Sequence, residues 1–260
     1  RKNANCKNLY AVEPSALFDE QNDIRFYTSI DFIIRKGIKF EFIFCTQVME
    51  HIYDLKNFIQ KIYAVSSDNA FIYIEVPNAG KYIEGYKAPF YYFDREHINH
   101  FTLNSLKNLF TINGFQIIDH DDSNNLSIIA RRSAEKINEC VECKYADPDA
   151  IVNYVQQSMD IDTLQHYDDI HVPIILWGFG AYLRKIFLKP DFPRNISAII
   201  DRDRGGKGES WNGIPFVSEA ILDESEFSKA TVIITSVLYA DEIKRQLQAR
   251  GFAGKVLTAF

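Results

Sequence analysis

"FEFIFCTQVMEHIYDLKNFI", residues 40–59, changes its period halfway along. Phe40 to Cys45 is a run of aromatic and β-branched residues, the composition of a buried strand. Beyond "MEH" the spacing lengthens: Leu55, Phe58, Ile59 and Ile62 fall at i, i+3, i+4 and i+7, one face of a helix. Asp54, just ahead of that face, is its N-cap. A strand that runs directly into a helix is the repeating unit of α/β proteins, so the flanks decide whether this is one unit or a fold.

The flanks repeat it. Upstream, "KNLYAVEPS" holds a short strand, Leu9–Val12, closed by Pro14 and Ser15. Downstream, "NAFIYIEVPN" is a strand ended by Pro77. "TLNSLKNLFTINGF" is a helix whose stripe is Leu103, Leu106, Leu109 and Phe110, with Gly114 at its C-terminal end. "FQIIDH" and "NLSIIARR" are two strands joined by the polar "DDSNN", a hairpin. This alternation predicts a mainly parallel sheet covered on both faces.

Residues 133–147 turn polar, and "ADPDAIVNYVQQSMDIDTL" reads as a helix with Asp147 as cap and Pro148 in its first position. Strand signals resume with "VPIILWGFG", "NISAIIDRDR", "ATVIITSV" and "KVLTAF". A short Gly-Ile-Pro strand leads to a helix at Ser218, and the helix "YADEIKRQLQARG" stops at Gly251. The expected organisation is a first α/β domain over residues 1–132, a helical linker over 133–171 and a second α/β domain over 172–260.

Bulk properties exclude some partners. The net charge of −6, with no long basic run, argues against nucleic acid, which needs clustered Lys and Arg. No apolar stretch approaches the roughly 20 residues of a membrane span, and no secretory signal is visible. Four cysteines, Cys6, Cys45, Cys140 and Cys143, are sparse for 260 residues and fit a reducing, cytoplasmic compartment. Cys140 and Cys143 form a lone CxxC where a tetrahedral zinc site needs about four ligands, so no metal is expected.

The ordered combination of "LYAVEPS", "FEFIFCTQVMEHIYDLKNFI", "NAFIYIEVPN" and "EHINHFTLNSLKNLFTINGF" resembles the class I S-adenosylmethionine-dependent methyltransferases, from about Asn8 to Arg132. Within them it looks most like enzymes that modify sugars and small metabolites in glycan or secondary-metabolite biosynthesis. The resemblance implies two Rossmann-like domains, the first a class I methyltransferase sheet with an antiparallel C-terminal hairpin. It implies S-adenosylmethionine as cofactor and a small-molecule acceptor, a nucleotide-linked sugar in the leading reading. The rival is a non-catalytic sugar-nucleotide binding or scaffold protein of a glycan-assembly pathway.

The residues have roles under that resemblance. Glu13, at the tip of the first visible strand, is placed to accept ribose hydroxyls, or else is an exposed acid at a strand end. Asp31 is a candidate for the adenine. Cys45, Thr46 and Gln47 end a strand and line the methionine part of the cofactor, with His51 of the Glu50-His51 pair beside them. His51 is alternatively a polar helix-start residue. Some quinone-pathway relatives bind a divalent cation here through a further acid, but this chain has Gln47 at that position.

"FYYFDREHINHF", residues 90–101, puts five aromatic rings and two histidines in one short run. By the resemblance it faces the acceptor. His97 is then the general base, Glu96 its orienter, and Tyr86, Tyr91, Tyr92, Phe93 and His100 the acceptor's walls. Alternatively the rings pack as a lid on the core. Asp94 and His100 depart from the pattern of C-methylating relatives, which leaves O- and N-methylation open.

The family's first strand and its Gly-rich turn are expected before Leu9, at the centre of the sheet, yet "RKNANCKN" contains no glycine. The expectation is therefore an N-terminally truncated domain that binds its cofactor weakly. In the second half, "ILWGFGAYLRKIF" is similar to a nucleotide-binding turn: Gly178 and Gly180 are present, Leu183 replaces the third glycine, and Asp201 ends the next strand. Sugar C-methyltransferases carry such a C-terminal domain against the acceptor, so Gly178, Gly180 and Asp201 are candidate substrate contacts. Arg202, Arg204 and Lys207 either meet a diphosphate or belong to a solvated loop.

Overall fold

The structure, a computed structural model, describes residues 8–14, 24–85, 88–93, 95–133, 149–162 and 170–260. Ser15, Tyr86, Asp94, Cys6, Cys140, Cys143, Asp147 and Pro148 lie outside the described residues. The chain divides into two compact units, Arg1–Gly80 with Ile98–Pro148, and Lys81–His97 with Asp149–Phe260. Residues 81–97, which precede the hairpin of the first unit in sequence, are thus grouped with the second.

The first unit starts with strands β1 (Leu9–Val12) and β2 (Ile24–Tyr27), a parallel pair forming a sheet of its own. Helix α1 (Ile30–Arg35) follows, capped by Ser29, whose hydroxyl accepts the Asp31 N–H. Strand β3 (Phe40–Thr46) leads through a 3₁₀ turn, Met49–His51, to helix α2 (Leu55–Val65). The Asp54 side chain accepts the Asn57 N–H, as the N-cap reading expects, a contribution of about 1 kcal/mol. Strand β4 (Ser66–Val76) pairs in parallel with β3. Helix α3 (Leu103–Thr111) starts in a capping box between Thr102 and Ser105. Strands β5 (Phe115–Asp121) and β6 (Leu126–Arg132) form the expected antiparallel hairpin, and the sheet order is β3-β4-β6-β5.

Period-2 alternation in β4 sends Ala70, Ile72, Ile74 and Val76 to one face, where they meet Ile59 and Ile62 of α2 and Leu106 and Phe110 of α3. Each fully buried aliphatic side chain here stabilises the unit by about 1.5–3 kcal/mol. The other face differs from the two-sided cover that the sequence predicts. Phe42 and Phe44 are 62% and 71% exposed; they stack on each other along the strand, Phe42 stacks on Phe71 of β4, and Phe44 meets Tyr73 of β4 at a tilt. The reason is that α2 and α3 pack on the same side. β1 and β3 are not hydrogen-bonded to each other; they meet through Tyr10 and Phe40, ring centres 5.2 Å apart.

The second unit contains helix α4 (Asp149–Asp162), strand β7 (Ile174–Trp177), helix α5 (Ala181–Ile186) and strand β8 (Ile196–Ile200). Strands β9 (Ser210–Trp211) and β10 (Ile214–Val217) form a hairpin across Asn212 and Gly213, both at positive φ, the Asn-Gly two-residue turn. A 3₁₀ turn, Glu219–Asp223, stands where the helix after Ser218 was expected. Strand β11 (Thr231–Ile234), helix α6 (Ala240–Ala249) and strand β12 (Val256–Thr258) complete it.

The order β12-β11-β7-β8-β10-β9 is parallel except at β9. From central β7 the chain steps outward through β8 and β10, then returns to β11 on the other side. This is the doubly wound arrangement, with its switch point between β7 and β11. One face is packed with Leu183 and Ile186 of α5, the other with Ile243 and Leu247 of α6. No helix among the described residues is long and apolar enough to cross a membrane.

Candidate active site

Ligands in open α/β sheets lie outside the carboxyl ends of the strands. At the end of β3 the structure gathers Cys45, Thr46 and Gln47. Cys45 is buried, and burial first, then the nearby Glu50 charge, pushes its thiol up to about 12. It therefore stays a protonated thiol at neutral pH. Thr46 is exposed. Gln47 turns the chain at φ +53, donating its backbone N–H to Glu75 at 2.9 Å and its amide to the Glu75 carboxylate at 3.5 Å. A non-glycine residue at positive φ is uncommon, and here it reverses the chain at the strand tip.

The turn that follows contains a residue the sequence reading left outside its site list. Glu50 is 1% exposed, and neither of its carboxylate oxygens has a hydrogen-bond partner among the described residues. His51 Nε2 lies 3.8 Å from Glu50 Oε1. A buried carboxylate without donors is costly, of the order of several kcal/mol, and such an atom marks a place that a donor or cation completes. Nothing in "MEHIYD" separates this glutamate from a solvated one, because helix-start acids are common; only its burial does.

Four hydrogen bonds hold the turn. The Glu50 carbonyl accepts the N–H groups of Ile98 and Asn99, at 2.9 and 3.0 Å. The Asn99 amide donates to the carbonyls of Met49 and Ile52, at 3.1 and 2.6 Å. Within "EHINHF", Asn99 is thus a clamp on the Met49–Ile52 turn, a role hidden in a stretch whose histidines draw the eye. His100 follows, half-buried, ahead of Phe101, which bridges to Asn78 beyond the end of β4.

The remaining candidates of the first unit lie nearby in the chain's order. Glu13 follows the last residue of β1, is half-buried, and donates its N–H to the Tyr27 carbonyl at 2.9 Å. Asp31 is held by Lys61, Nζ to Oδ2 at 2.8 Å, and by the Ser29 hydroxyl. The Lys61 hydrogen bond, with Ser29 second, keeps its carboxyl below the usual aspartate range. This pair ties α1 to α2.

In the second unit, the aromatic run is packed. Tyr92 stacks on Tyr82 with centroids 4.1 Å apart and rings nearly parallel, while Tyr154 of α4 meets both edge-on. The Tyr92 N–H donates to the Tyr154 hydroxyl at 3.2 Å, and that of Phe90 to Ser158 at 3.0 Å. Lys185 of α5 donates to the carbonyls of Phe90 and Phe93. Tyr91 packs toward Tyr182. Glu96 is exposed and His97 half-buried at the end of this segment.

Gly178 and Gly180 flank Phe179 after β7. Gly178 has φ +109, and a Cβ there would stand 2.6 Å from Ser236 Cβ, so glycine is demanded by both backbone and neighbour. Gly180 has an extended φ of −136, and a Cβ on it would meet nothing within 4 Å. Asp201 follows β8, and its Oδ1 accepts the N–H groups of Asp203 and Arg204, closing the turn to Gly205.

No curated protein sequence matches the chain. Among solved structures it is similar to an S-adenosylmethionine-dependent methyltransferase of Mesorhizobium loti, at 11% identity and a TM-score of 0.37, covering 48% of this chain and 81% of that one. It is similar to a SAM-dependent methyltransferase of Methanosarcina mazei at 16% identity and a TM-score of 0.33, covering 46% and 73%. A third is the magnesium protoporphyrin IX methyltransferase of Synechocystis, solved with bound SAH, at 16% identity and a TM-score of 0.31, covering 43% and 52%. Likenesses this distant carry no argument about function. The sequence match is more specific: residues 2–120, a little under half of the chain, match the family model described as a methyltransferase domain.

Proposed function

We propose that the protein is an S-adenosylmethionine-dependent methyltransferase whose acceptor is a small metabolite, in the finer reading a nucleotide-linked sugar. The family match over residues 2–120 supports the reaction class. The single structural observation that supports the cofactor is the buried carboxylate of Glu50 beyond the tip of β3, which has no hydrogen-bond partner among the described residues. S-Adenosylmethionine carries an ammonium and a sulfonium, and a cationic ligand is what a buried carboxylate short of hydrogen-bond donors accommodates. The residues therefore fit the group. Glu50, His51, Gln47, Thr46 and Cys45 are the residues proposed to hold its methionine end, with Glu13 and Asp31 at the nucleoside.

The cofactor supplies an activated methyl group. The chain's share is alignment of the acceptor and removal of its proton. His97 is the proposed base, oriented by Glu96, with Tyr91, Tyr92 and His100 at the acceptor. With the cofactor bound, His97 would take the acceptor's proton as the acceptor's lone pair displaced the methyl group from the sulfonium, the carbon–sulfur bond breaking and the thioether being left behind.

The test is calorimetric titration with S-adenosylhomocysteine of the natural polypeptide, including any residues ahead of Arg1, beside its Glu50→Gln variant. Micromolar binding by the parent, weakened about tenfold or more in the variant, is expected from loss of a charge-assisted contact. Absence of binding by the parent overturns the proposal. Labelled methyl transfer to a panel of nucleotide sugars then tests the acceptor class, and unchanged turnover in His97→Ala removes His97 as the base.

A further inference from the structure

We propose, on the reading of His97 as the base, that Lys185 of α5 is a positioning residue for it, acting through the aromatic turn of residues 90–93. Every group involved belongs to the second unit.

The turn is held by its main chain. Phe90 has φ +53, a left-handed conformation that a ring-bearing residue keeps only when its surroundings impose it. Its N–H donates to the Ser158 hydroxyl at 3.0 Å, and the Tyr92 N–H to the Tyr154 hydroxyl at 3.2 Å. Tyr154 and Ser158 are each 2% exposed and stand four residues apart, on one face of α4. Within the turn, the Phe93 N–H donates to the Phe90 carbonyl at 3.0 Å. The Lys185 ammonium donates to the carbonyls of both Phe90 and Phe93, the latter at 2.6 Å. It thus bridges the first and last residues of the turn, and it also lies 5.8 Å from the centre of the Phe90 ring.

The rings alone do not set this register. Tyr92 stacks on Tyr82, and apolar packing is non-directional. Hydrogen bonds from one cation to two carbonyls are directional, and the charge strengthens them. Lys185 brings them from a fixed base, because Leu183 and Ile186 of α5 are buried in the core of the second unit. No motif marks this lysine, which reaches its two carbonyls across 95 and 92 residues of sequence. Phe93 stands four residues ahead of His97, so a shift of the turn is carried along a short stretch of chain to the imidazole. A misplacement of about 1 Å in a catalytic group costs on the order of a hundredfold in rate.

The natural polypeptide is compared with Lys185→Met, which keeps the stem and loses the donors, and with Lys185→Arg, which keeps donors. The first reading is amide hydrogen exchange without cofactor. In Lys185→Met the amides of the turn and of Glu96 and His97 are expected to exchange about tenfold faster, those of β11 as in the parent, and Lys185→Arg to recover most of the protection. The second is labelled methyl transfer to UDP-glucose, ADP-glucose and dTDP-glucose. In Lys185→Met kcat is expected to fall about tenfold or more with the acceptor KM within about threefold, and in a His97→Ala background the same substitution is expected to have no further effect. A purely structural lysine would lower both backgrounds alike. Fast exchange in β11 would show that Lys185→Met loses its fold, and the shorter, milder Lys185→Gln then takes its place in both readings. Unchanged exchange, faster exchange that stops short of Glu96 and His97, or additive effects of the two substitutions on kcat each overturn the inference. A parent that binds S-adenosylhomocysteine but methylates none of the three sugars overturns the acceptor reading instead, and the exchange at Glu96 and His97 then decides the role of Lys185.

Discussion

Asn99 donates its backbone N–H to the carbonyl of Glu50 at 3.0 Å, while its side-chain amide reaches the carbonyls on either side of that turn, at Met49 and Ile52. One residue thus fixes the backbone of the turn that buries the Glu50 carboxylate. Asn99→Leu leaves both side-chain-bonded carbonyls without that donor. We expect a loss of about 1–3 kcal/mol in stability, from the cost of unmade buried hydrogen bonds, read from denaturant melts. Asn99→Asp should not rescue it, because a carboxylate cannot donate.

Glu50 itself should behave in the opposite sense. Its carboxylate is buried without a hydrogen-bond partner among the described residues. Glu50→Gln removes the charge and keeps the shape, so the ligand-free variant should melt higher, by about 1 kcal/mol or more of stability. A lower melting temperature would mean that the carboxylate already has a stabilising partner.

Cys45 predicts a pH dependence. Its folded-state thiol is pushed up to about 12 from an ordinary 9.0, mainly by burial. The unfolded thiol loses its proton above pH 9, and the folded one holds it until about pH 12. The unfolded state therefore binds fewer protons in this window, and stability falls as pH rises, by at most about 1.4 kcal/mol per pH unit. Tyr73 and Tyr154 are also raised, so the thiol's share is the difference between parent and Cys45→Ala across that range. At pH 8 the native thiol should resist iodoacetamide and react only in denaturant.

The two glycines flanking Phe179 should respond differently to alanine. Gly178→Ala places a Cβ 2.6 Å from Ser236 Cβ at a φ of +109, and should cost about 1–3 kcal/mol in the second unit's stability. Gly180→Ala meets nothing within 4 Å at an ordinary φ and should leave the melt within about 0.5 kcal/mol of the parent. Equal destabilisation by both would contradict the geometry of the turn.

Much of the fold is written locally. The apolar runs at Leu9–Val12, Phe40–Thr46, Ile174–Trp177 and Thr231–Ile234 are strands, and the stripes of α2, α3 and α6 are helices where their periods place them. What the reading passed over is short: β2 and α1, of four and six residues, are too brief for a period to establish itself, and β9 has two.

Which core a segment joins was settled only by tertiary structure. "FYYFDREHINHF" straddles the two units, with residues 90–97 grouped with the second and Ile98–Phe101 with the first. Its aromatic content demands burial but carries no address. Tyr92 finds Tyr82 and Tyr154, and Asn99 finds the Glu50 turn, through contacts tens of residues away in sequence. The same holds for the sites. A strand tip can be named from a run that ends, but the burial of Glu50 and the reach of Lys185 to the Phe90 and Phe93 carbonyls depend on which elements the fold sets side by side. Periodicity records how a segment faces its core; it holds no record of what lies across from it, because that is decided by long-range packing.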